Sequence, residues 1–185
     1  QIKPFNATAF RAGKFIDVSD KDLSGKWSVF FFYPADFTFV CPTELHAFEA
    51  AKAEFEKRNT IVIGASCDTP EVHFAWLSTA KDNGGIEGVT YPILADSNRN
   101  LASTLGILDI SDETYNEETG VVLVEGDNVT YRATYIIDKS SVIQHISVNT
   151  LDTGRNAKEV LRTLQAIKAG GLTGCEWTPG ENFVG

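Results

Sequence analysis

Apolar runs of strand length alternate with helical patterns in the first half of the chain, and this alternation limits the fold more than any other feature. Residues 27–34, WSVFFFYP, are rich in aromatic and β-branched residues and end at a proline, which is typical of a buried strand. Residues 59–66 (NTIVIGAS) and 90–96 (TYPILAD) form a second and a shorter third apolar run. We therefore expect three strands here, each separated from the next by a helix.

Two helices are predicted between these strands. The first begins at Pro42 and has an apolar face with spacings of three or four residues; that face consists of Leu45, Phe48, Ala51 and Phe55. The second covers residues 70–81, where a proline occupies a favoured first helical position and Thr69 is a possible cap. Strands that alternate with helices favour βαβ units around a mostly parallel central sheet.

The second half of the chain has a different pattern. Residues 121–138 contain two β-rich runs separated by Gly126, Asp127 and Asn128, which predicts a β-hairpin, and residues 139–149 follow through another turn. A last helix is predicted from apolar spacing and from two glycines that end it; these residues are Val160, Leu161, Leu164, Ile167, Gly170 and Gly171. The order of elements is compatible with an elaborated thioredoxin-like fold and with several other α/β folds.

Charge and composition exclude several classes of protein. The 185 residues suit one domain, and the net charge of −9 argues against a nucleic-acid partner and against binding to anionic lipid. We find neither a membrane-spanning apolar segment nor the pattern of a secretion signal, so we expect a cytoplasmic protein. Three cysteines are an odd number for a secreted disulfide framework. The histidines, His46, His73 and His145, lie too far apart for a local metal motif.

The segment that carries chemistry is FFFYPADFTFVCPTE, residues 30–44. A buried strand ends at Pro34, and Cys41 directly precedes Pro42, which favours the first turn of a helix. Unpaired N–H groups and the helix dipole favour a negative charge on a sulfur at that place, and thiolate is the reactive form of cysteine. Thr38 offers a hydroxyl close to the sulfur. By position alone, Cys41 could equally be a packed capping residue without chemistry.

This string resembles the PxxxTxxCP active-site loop of the peroxiredoxins. The longer DFTFVCPTE is similar to the typical 2-Cys branch, which includes bacterial alkyl hydroperoxide reductase C, and the resemblance covers nearly the whole chain. It implies an α/β thioredoxin-like fold with an N-terminal hairpin and a central mixed sheet flanked by helices. It also implies a peroxidase domain at residues 1–165, a C-terminal segment at 166–185, and no cofactor, because sulfur performs the redox chemistry.

The resemblance further implies roles for individual residues. Cys41 corresponds to the peroxidatic cysteine, Pro34 to the proline that shields it, and Thr38 to the hydroxyl that orients the peroxide. Arg132, in YRATYIID, corresponds to the arginine that steadies the thiolate and the peroxide oxygens. Without the motif, Arg132 would be interpreted as a solvated charge on a strand.

Glu44 and Arg155 correspond, by the same resemblance, to a supporting ion pair that positions the active-site helix and the arginine. Cys175 lies in the glycine-rich segment GGLTGCEWTPG, where we expect an exposed thiol on a mobile stretch. It corresponds to the resolving cysteine, although the Val and Pro that usually flank that residue are missing; the alternative is a free terminal thiol. Cys67 is predicted to be a buried small residue at a strand end.

The implied function is a thiol peroxidase that reduces hydrogen peroxide and alkyl hydroperoxides. Cys41 would form a sulfenic acid, and Cys175 of the partner subunit would resolve it as an intersubunit disulfide, which implies a homodimer and often a decamer. The reductant would be a flavoprotein disulfide reductase or thioredoxin, and the sequence does not choose between them. A holdase or redox-signalling oligomer stays open as an alternative, whereas a thioredoxin-type oxidoreductase fails because no CxxC motif exists.

Two segments depart from the resemblance. Residues 83–92 are similar to a GGLG-type insertion but carry an additional Glu87, and the last residues show no Tyr–Phe tail, so we expect resistance to overoxidation. Residues 108–121 are longer and more acidic than the family pattern, and the sequence gives no explanation for them.

Overall fold

A seven-stranded mixed sheet forms the centre of the molecule in a computed structural model that describes residues 1–110 and 112–185. The described strands, in chain order, are β1 (Asn6–Arg11), β2 (Lys14–Ser19), β3 (Trp27–Phe32), β4 (Thr60–Ser66), β5 (Ile93–Ala95), β6 (Asp112–Asn116), β7 (Val121–Glu125), β8 (Arg132–Ile137) and β9 (Ile143–Asn149). The large sheet has the order β2-β1-β5-β4-β3-β8-β9, and β6 and β7 form a separate two-stranded sheet.

Helices cover both faces of the large sheet. The described helices are α1 (Asp20–Leu23), α2 (Val40–Glu56), α3 (Pro70–Leu77), α4 (Asn100–Leu105) and α5 (Ala157–Ala169), with a 3₁₀ turn at Lys81–Asn83. In this described part of the chain, every helix is too short or too polar to cross a bilayer.

The sheet confirms the expected α/β thioredoxin-like arrangement. β3, β4 and β5 run parallel to one another, as the alternation of strands and helices predicted. β1 and β2 pair as the N-terminal antiparallel hairpin, and β8 and β9 add antiparallel strands beside β3, so that the sheet is mixed.

Strand β3 is apolar at nearly every position because both of its faces are buried. Val29 and Phe31 belong to the core layer under α2 and α5, whereas Phe30 and Phe32 belong to the layer on the opposite face. All four side chains are fully buried. A central strand with helices on both sides loses the usual alternation of apolar and polar residues, which explains the continuous run in the sequence.

The predicted helices are present with shifted ends. The helix expected from Pro42 begins two residues earlier, at Val40. The helix expected over 70–81 ends at Leu77, and its predicted cap is confirmed because the Thr69 side chain accepts a hydrogen bond from Val72 N.

The last helix ends where its two glycines predicted. Gly170 adopts a left-handed φ of +72° directly after α5, a conformation that costs glycine little. Residues 165 and 166, between which the segment boundary is predicted, both lie in this helix, and the described chain has no helix or strand from Gly170 onward.

The predicted hairpin across Gly126, Asp127 and Asn128 is wrong. β7 pairs with β6, whereas β8 lies in the large sheet between β3 and β9. Residues 126–128 therefore connect two different sheets. A turn can be predicted from a few adjacent residues, whereas the partner of a strand depends on which of its faces are buried. β8 is buried along its whole length.

The unexplained acidic stretch contains most of the β6–β7 hairpin. Its turn is closed by Asn116, whose side chain accepts hydrogen bonds from the backbone N–H groups of Glu118 and Thr119. The hairpin exposes large side chains to solvent; these are Tyr115, Val121, Val122 and Leu123. Ser111, in the same stretch, lies outside the described residues.

Candidate active site

Cys41 lies in the first turn of α2, directly after the loop that follows β3. The residue that caps the helix is Phe39, and Cys41 is the second helical residue, with a fully buried side chain. The backbone N–H groups of a first helical turn have no intrahelical acceptor and favour negative charge. The helix terminus predicted for Cys41 is therefore confirmed.

Arg132, the first residue of β8, brings a positive charge to the sulfur. Its Nη1 donates a hydrogen bond to Cys41 Sγ at 3.4 Å and to Glu44 Oε2 at 2.8 Å. Its Nε donates to the carbonyl of Leu151 at 2.7 Å, so the guanidinium is held on two sides. Burial alone would lower the pKa of Arg132, but the hydrogen bond to Cys41 and the charge of Glu44 raise it overall.

Glu44 joins two arginines beneath the sulfur. Arg155 donates from Nε to Glu44 Oε1 at 2.9 Å and from Nη2 to Oε2 at 2.8 Å, and its backbone N–H also reaches Oε1 at 2.8 Å. The carboxylate is only 2% exposed. Burial would raise the pKa of Glu44, but the hydrogen bonds and charge of Arg155, with the charge of Arg132, lower it overall. The predicted ion pair is thus a buried three-residue network.

Four predicted residues line one open pocket of about 470 Å³: Pro34, Thr38, Cys41 and Arg132. The other described walls are Ala35, Phe39, Val40, Asp127, Val129, Leu151 and Asp152. Thr38 Oγ1 donates its hydrogen to the carbonyl of Ala35 at 2.9 Å, which leaves the hydroxyl oxygen as an acceptor for a proton-bearing substrate.

A buried polar cluster anchors the loop that carries Pro34 and Thr38. Asp36 Oδ1 accepts a hydrogen bond from the Tyr33 hydroxyl at 2.7 Å, and Asp36 Oδ2 lies 2.7 Å from His73 Nδ1. The backbone N–H of Asp36 donates to Asp68 Oδ2 at 2.9 Å. The pKa of Asp36 is raised, chiefly by burial. The sequence gives no local signal of the contact between His73 and Asp36, which lie 37 residues apart.

The C-terminal segment packs against α5. Arg162 Nη1 donates to the carbonyl of Trp177 at 2.8 Å, and the Trp177 ring stacks on Phe183 with centroids 6.3 Å apart. Cys175 is exposed and unpaired within the described residues, as expected for its thiol, but it is not among the described residues that line the Cys41 pocket. Six of the seven predicted site residues are therefore brought together, and Cys175 stands apart.

Cys67 has the environment of an inert thiol. Its side chain is buried at the end of β4, and burial, with the nearby charge of Asp96, raises its pKa to about 11. Little thiolate forms at neutral pH in such a place. Within residues 1–110 and 112–185, no cluster of three or more His, Cys, Asp or Glu side chains could hold a metal ion.

Comparisons with known proteins identify the family to which this fold belongs. Residues 1–146 match the AhpC/TSA family. The chain is 38% identical to Peroxiredoxin-2 of Bos taurus over 184 residues, 97% of this chain and 85% of that protein.

Solved structures give the same result. The fold is similar to that of reduced 2-Cys peroxiredoxin from Plasmodium vivax, with a TM-score of 0.86 and 31% identity over 97% of this chain and 88% of that one. It is also similar to Enterococcus faecalis AhpC, with a TM-score of 0.78 and 36% identity over 91% and 90% of the two chains. The chain thus belongs to the AhpC/TSA family, as a typical 2-Cys peroxiredoxin and a thiol-dependent peroxidase.

Proposed function

We propose that Cys41 is the thiolate that attacks the hydroperoxide, and that Cys175 of a partner subunit resolves the oxidised sulfur. The observation that carries this proposal is the 3.4 Å contact between Arg132 Nη1 and the buried Cys41 sulfur. A guanidinium beside a sulfur at a helix start stabilises the anionic nucleophile.

The attack forms one bond and breaks one. The Cys41 thiolate attacks the terminal oxygen of the hydroperoxide, so that an S–O bond forms while the O–O bond breaks. The sulfur supplies the electron pair, and the departing alkoxide or hydroxide takes up a proton to become an alcohol or water. Arg132 and the N–H groups of the first turn of α2 can stabilise the developing negative charge, and the Thr38 hydroxyl oxygen can accept a hydrogen bond from the peroxide O–H.

The second step removes the sulfenic acid. A thiol at Cys175 condenses with the sulfenic acid on Cys41 to give a disulfide and one water. Cys41 is fully buried in the first turn of α2, so the proposed disulfide requires this turn to open. A dithiol or flavoprotein reductant then returns two electrons and two protons and restores both thiols.

The same proposal covers substrate, assembly and compartment. Hydrogen peroxide and alkyl hydroperoxides are the proposed substrates, since the open pocket has apolar walls around the sulfur. A homodimer follows if Cys175 acts between subunits, and assembly to a decamer is a further part of the proposal. A flavoprotein disulfide reductase or thioredoxin in the cytoplasm is the proposed reductant.

A non-reducing gel after one equivalent of hydroperoxide tests the cycle. The proposal expects a disulfide-linked dimer in the wild type and in Cys67→Ser, the matched control. That band should be missing in both Cys41→Ser and Cys175→Ser. A dimer band that survives Cys175→Ser but disappears in Cys67→Ser would transfer the resolving role to Cys67.

A further inference from the structure

The mouth of the Cys41 pocket carries two exposed acids and no exposed base among the described residues that line it. Asp127 and Asp152 are both exposed there. The basic residue of the lining, Arg132, is 4% exposed and already bonded to Glu44 at 2.8 Å. Its buried charge is shared between Glu44 and the Cys41 sulfur, while the carboxylates at the mouth face the solvent from which a substrate arrives.

The backbone beside Asp127 is held by hydrogen bonds. Arg99 Nε donates to the carbonyl of Asn128 at 2.9 Å, and the N–H of Asn128 donates to the carbonyl of Asp109 at 3.1 Å. The N–H of Asp109 donates in turn to the carbonyl of Val129 at 2.8 Å. Asp127 thus projects from a connection that is tied down directly after it.

The backbone beside Asp152 is tied to the catalytic centre itself. The carbonyl of Leu151, the preceding residue, accepts the hydrogen bond from Arg132 Nε at 2.7 Å. On the other side, the N–H of Thr153 donates to the carbonyl of Thr150 at 3.2 Å. The guanidinium that contacts the sulfur therefore also fixes the turn that presents Asp152 at the mouth.

The rest of the pocket wall is mainly apolar. Its apolar residues are Pro34, Ala35, Phe39, Val40, Val129 and Leu151. An alkyl or aryl group can lie on such a wall, but an anionic group must pass two carboxylates and approach a sulfur that reacts as an anion. We propose that Asp127 and Asp152 are specificity-determining residues that select against negatively charged hydroperoxides in favour of neutral ones. This inference rests on the proposed attack by Cys41.

The size of the effect follows from solvent screening. Both carboxylates are exposed, so each acts on a bound anion through water, and the repulsion is worth about a two- to three-fold change in rate at low ionic strength. The two together should give about a five-fold discrimination, which shrinks when salt shortens the screening length to below roughly 10 Å.

The test compares two hydroperoxides that differ mainly in charge. One is cumene hydroperoxide that carries a para carboxylate, and the other is the methyl ester of that carboxylate. The second-order rate constant for oxidation is measured for each by rapid mixing at low and high salt. The selectivity is the ratio of the anionic to the neutral rate constant within one variant, so general changes in activity cancel. The variants are Asp127→Asn, Asp152→Asn, the double variant, and the control Asp17→Asn, whose acid is exposed on the edge strand β2 at the opposite end of the sheet.

We expect the ratio to rise about two- to three-fold in each single variant and about five-fold in the double variant at low salt, with no change in Asp17→Asn. Unchanged ratios in the double variant, or an equal rise in the control, would overturn the proposal. Cys41→Ser is measured with the neutral ester in the same series. If Cys41→Ser reacts like the wild type, the proposed function fails. If Cys41→Ser loses the reaction but the anionic-to-neutral ratio is unchanged in the Asp127 and Asp152 variants, only the proposed selectivity is contradicted.

Discussion

Glu44 is the residue through which the two arginines of the site act together. It accepts hydrogen bonds from Arg132 on one oxygen and from Arg155 on both. Arg155 Nη1 also donates a hydrogen bond to the carbonyl of Ala133 at 2.9 Å, and Arg155 Cζ lies over the Phe31 ring, 5.0 Å from its centroid. The position of the guanidinium beside Cys41 is therefore set by a buried network rather than by Arg132 alone.

Replacement of Arg132 by Gln should slow the reaction of Cys41 with peroxide by about 10²- to 10³-fold, the usual cost of removing one oriented charge-stabilising donor. The measurement is the rate of sulfur oxidation in a rapid-mixing experiment. Arg11→Gln, an exposed arginine at the end of β1, is the matched control. A rate for Arg132→Gln within a factor of about two of the wild type would contradict this role.

Replacement of Glu44 by Gln should lower the free energy of unfolding by about 3 kcal/mol at neutral pH, because two buried arginines lose their partner. The pKa of Glu44 is lowered in the folded state from 4.5, so its stabilisation is complete above about pH 4.5. It is lost as the pH falls through the lower folded value. The difference between wild type and variant should therefore shrink in acid.

Denaturant unfolding across this pH range measures the difference. The control is Glu56→Gln, which breaks a surface pair with Lys52 at 3.0 Å and should change stability by less than about 1 kcal/mol. A Glu44→Gln effect as small as that of the control would show that the network contributes little.

Sequence reasoning finds the residues of the Cys41 loop because they are contiguous, and it finds distant residues only through family resemblance. Arg132 lies 91 residues from Cys41, and no periodicity links them. Asp36 and His73 were missed for the same reason, since their contact depends on how α3 packs beside the loop.

At the scale of elements, the β6–β7 hairpin forms a sheet of its own, separate from the seven-stranded sheet. The two strands pair only with each other within the described residues. Two-stranded sheets of this kind are marginally stable alone. The connection after it, at residues 126–129, returns the chain to β8 and so supplies one side of the pocket mouth.

Deletion of residues 113–124 with a two-glycine replacement should leave the domain folded. Asp112 and Glu125 are direct partners in the hairpin, so a short link can join them without strain. We expect the melting temperature to change by less than about 4 °C, which corresponds to roughly 1 kcal/mol for a domain of this size. Loss of the cooperative thermal transition in circular dichroism would show instead that the hairpin supports the core.

The elements differ in how well the sequence predicts them. β3 and α5 are confirmed because their apolar patterns and terminal residues act locally. The partner of β7 was predicted wrongly because the turn residues at 126–128 look the same whether they join paired strands or two separate sheets. Strand pairing is a long-range choice that turn chemistry does not determine.

At the scale of the whole molecule, the two proposed redox thiols lie in opposite environments. Cys41 is fully buried beneath the pocket, and Cys175 is exposed on the segment that packs on α5. A buried sulfur and an exposed one suit two separate steps, attack in the intact pocket and disulfide formation after the first turn of α2 opens. The first step can therefore be isolated by removing Cys175.

The most direct test of the central claim is to identify the sulfur that one equivalent of hydroperoxide oxidises in Cys175→Ser. A dimedone-type reagent traps the sulfenic acid, and peptide mass spectrometry locates it. Attack by Cys41 predicts one adduct per subunit, on the peptide that contains Cys41, and none when Cys41→Ser is added. An adduct on Cys67, or peroxide consumption by Cys41→Ser at the wild-type rate, would contradict it.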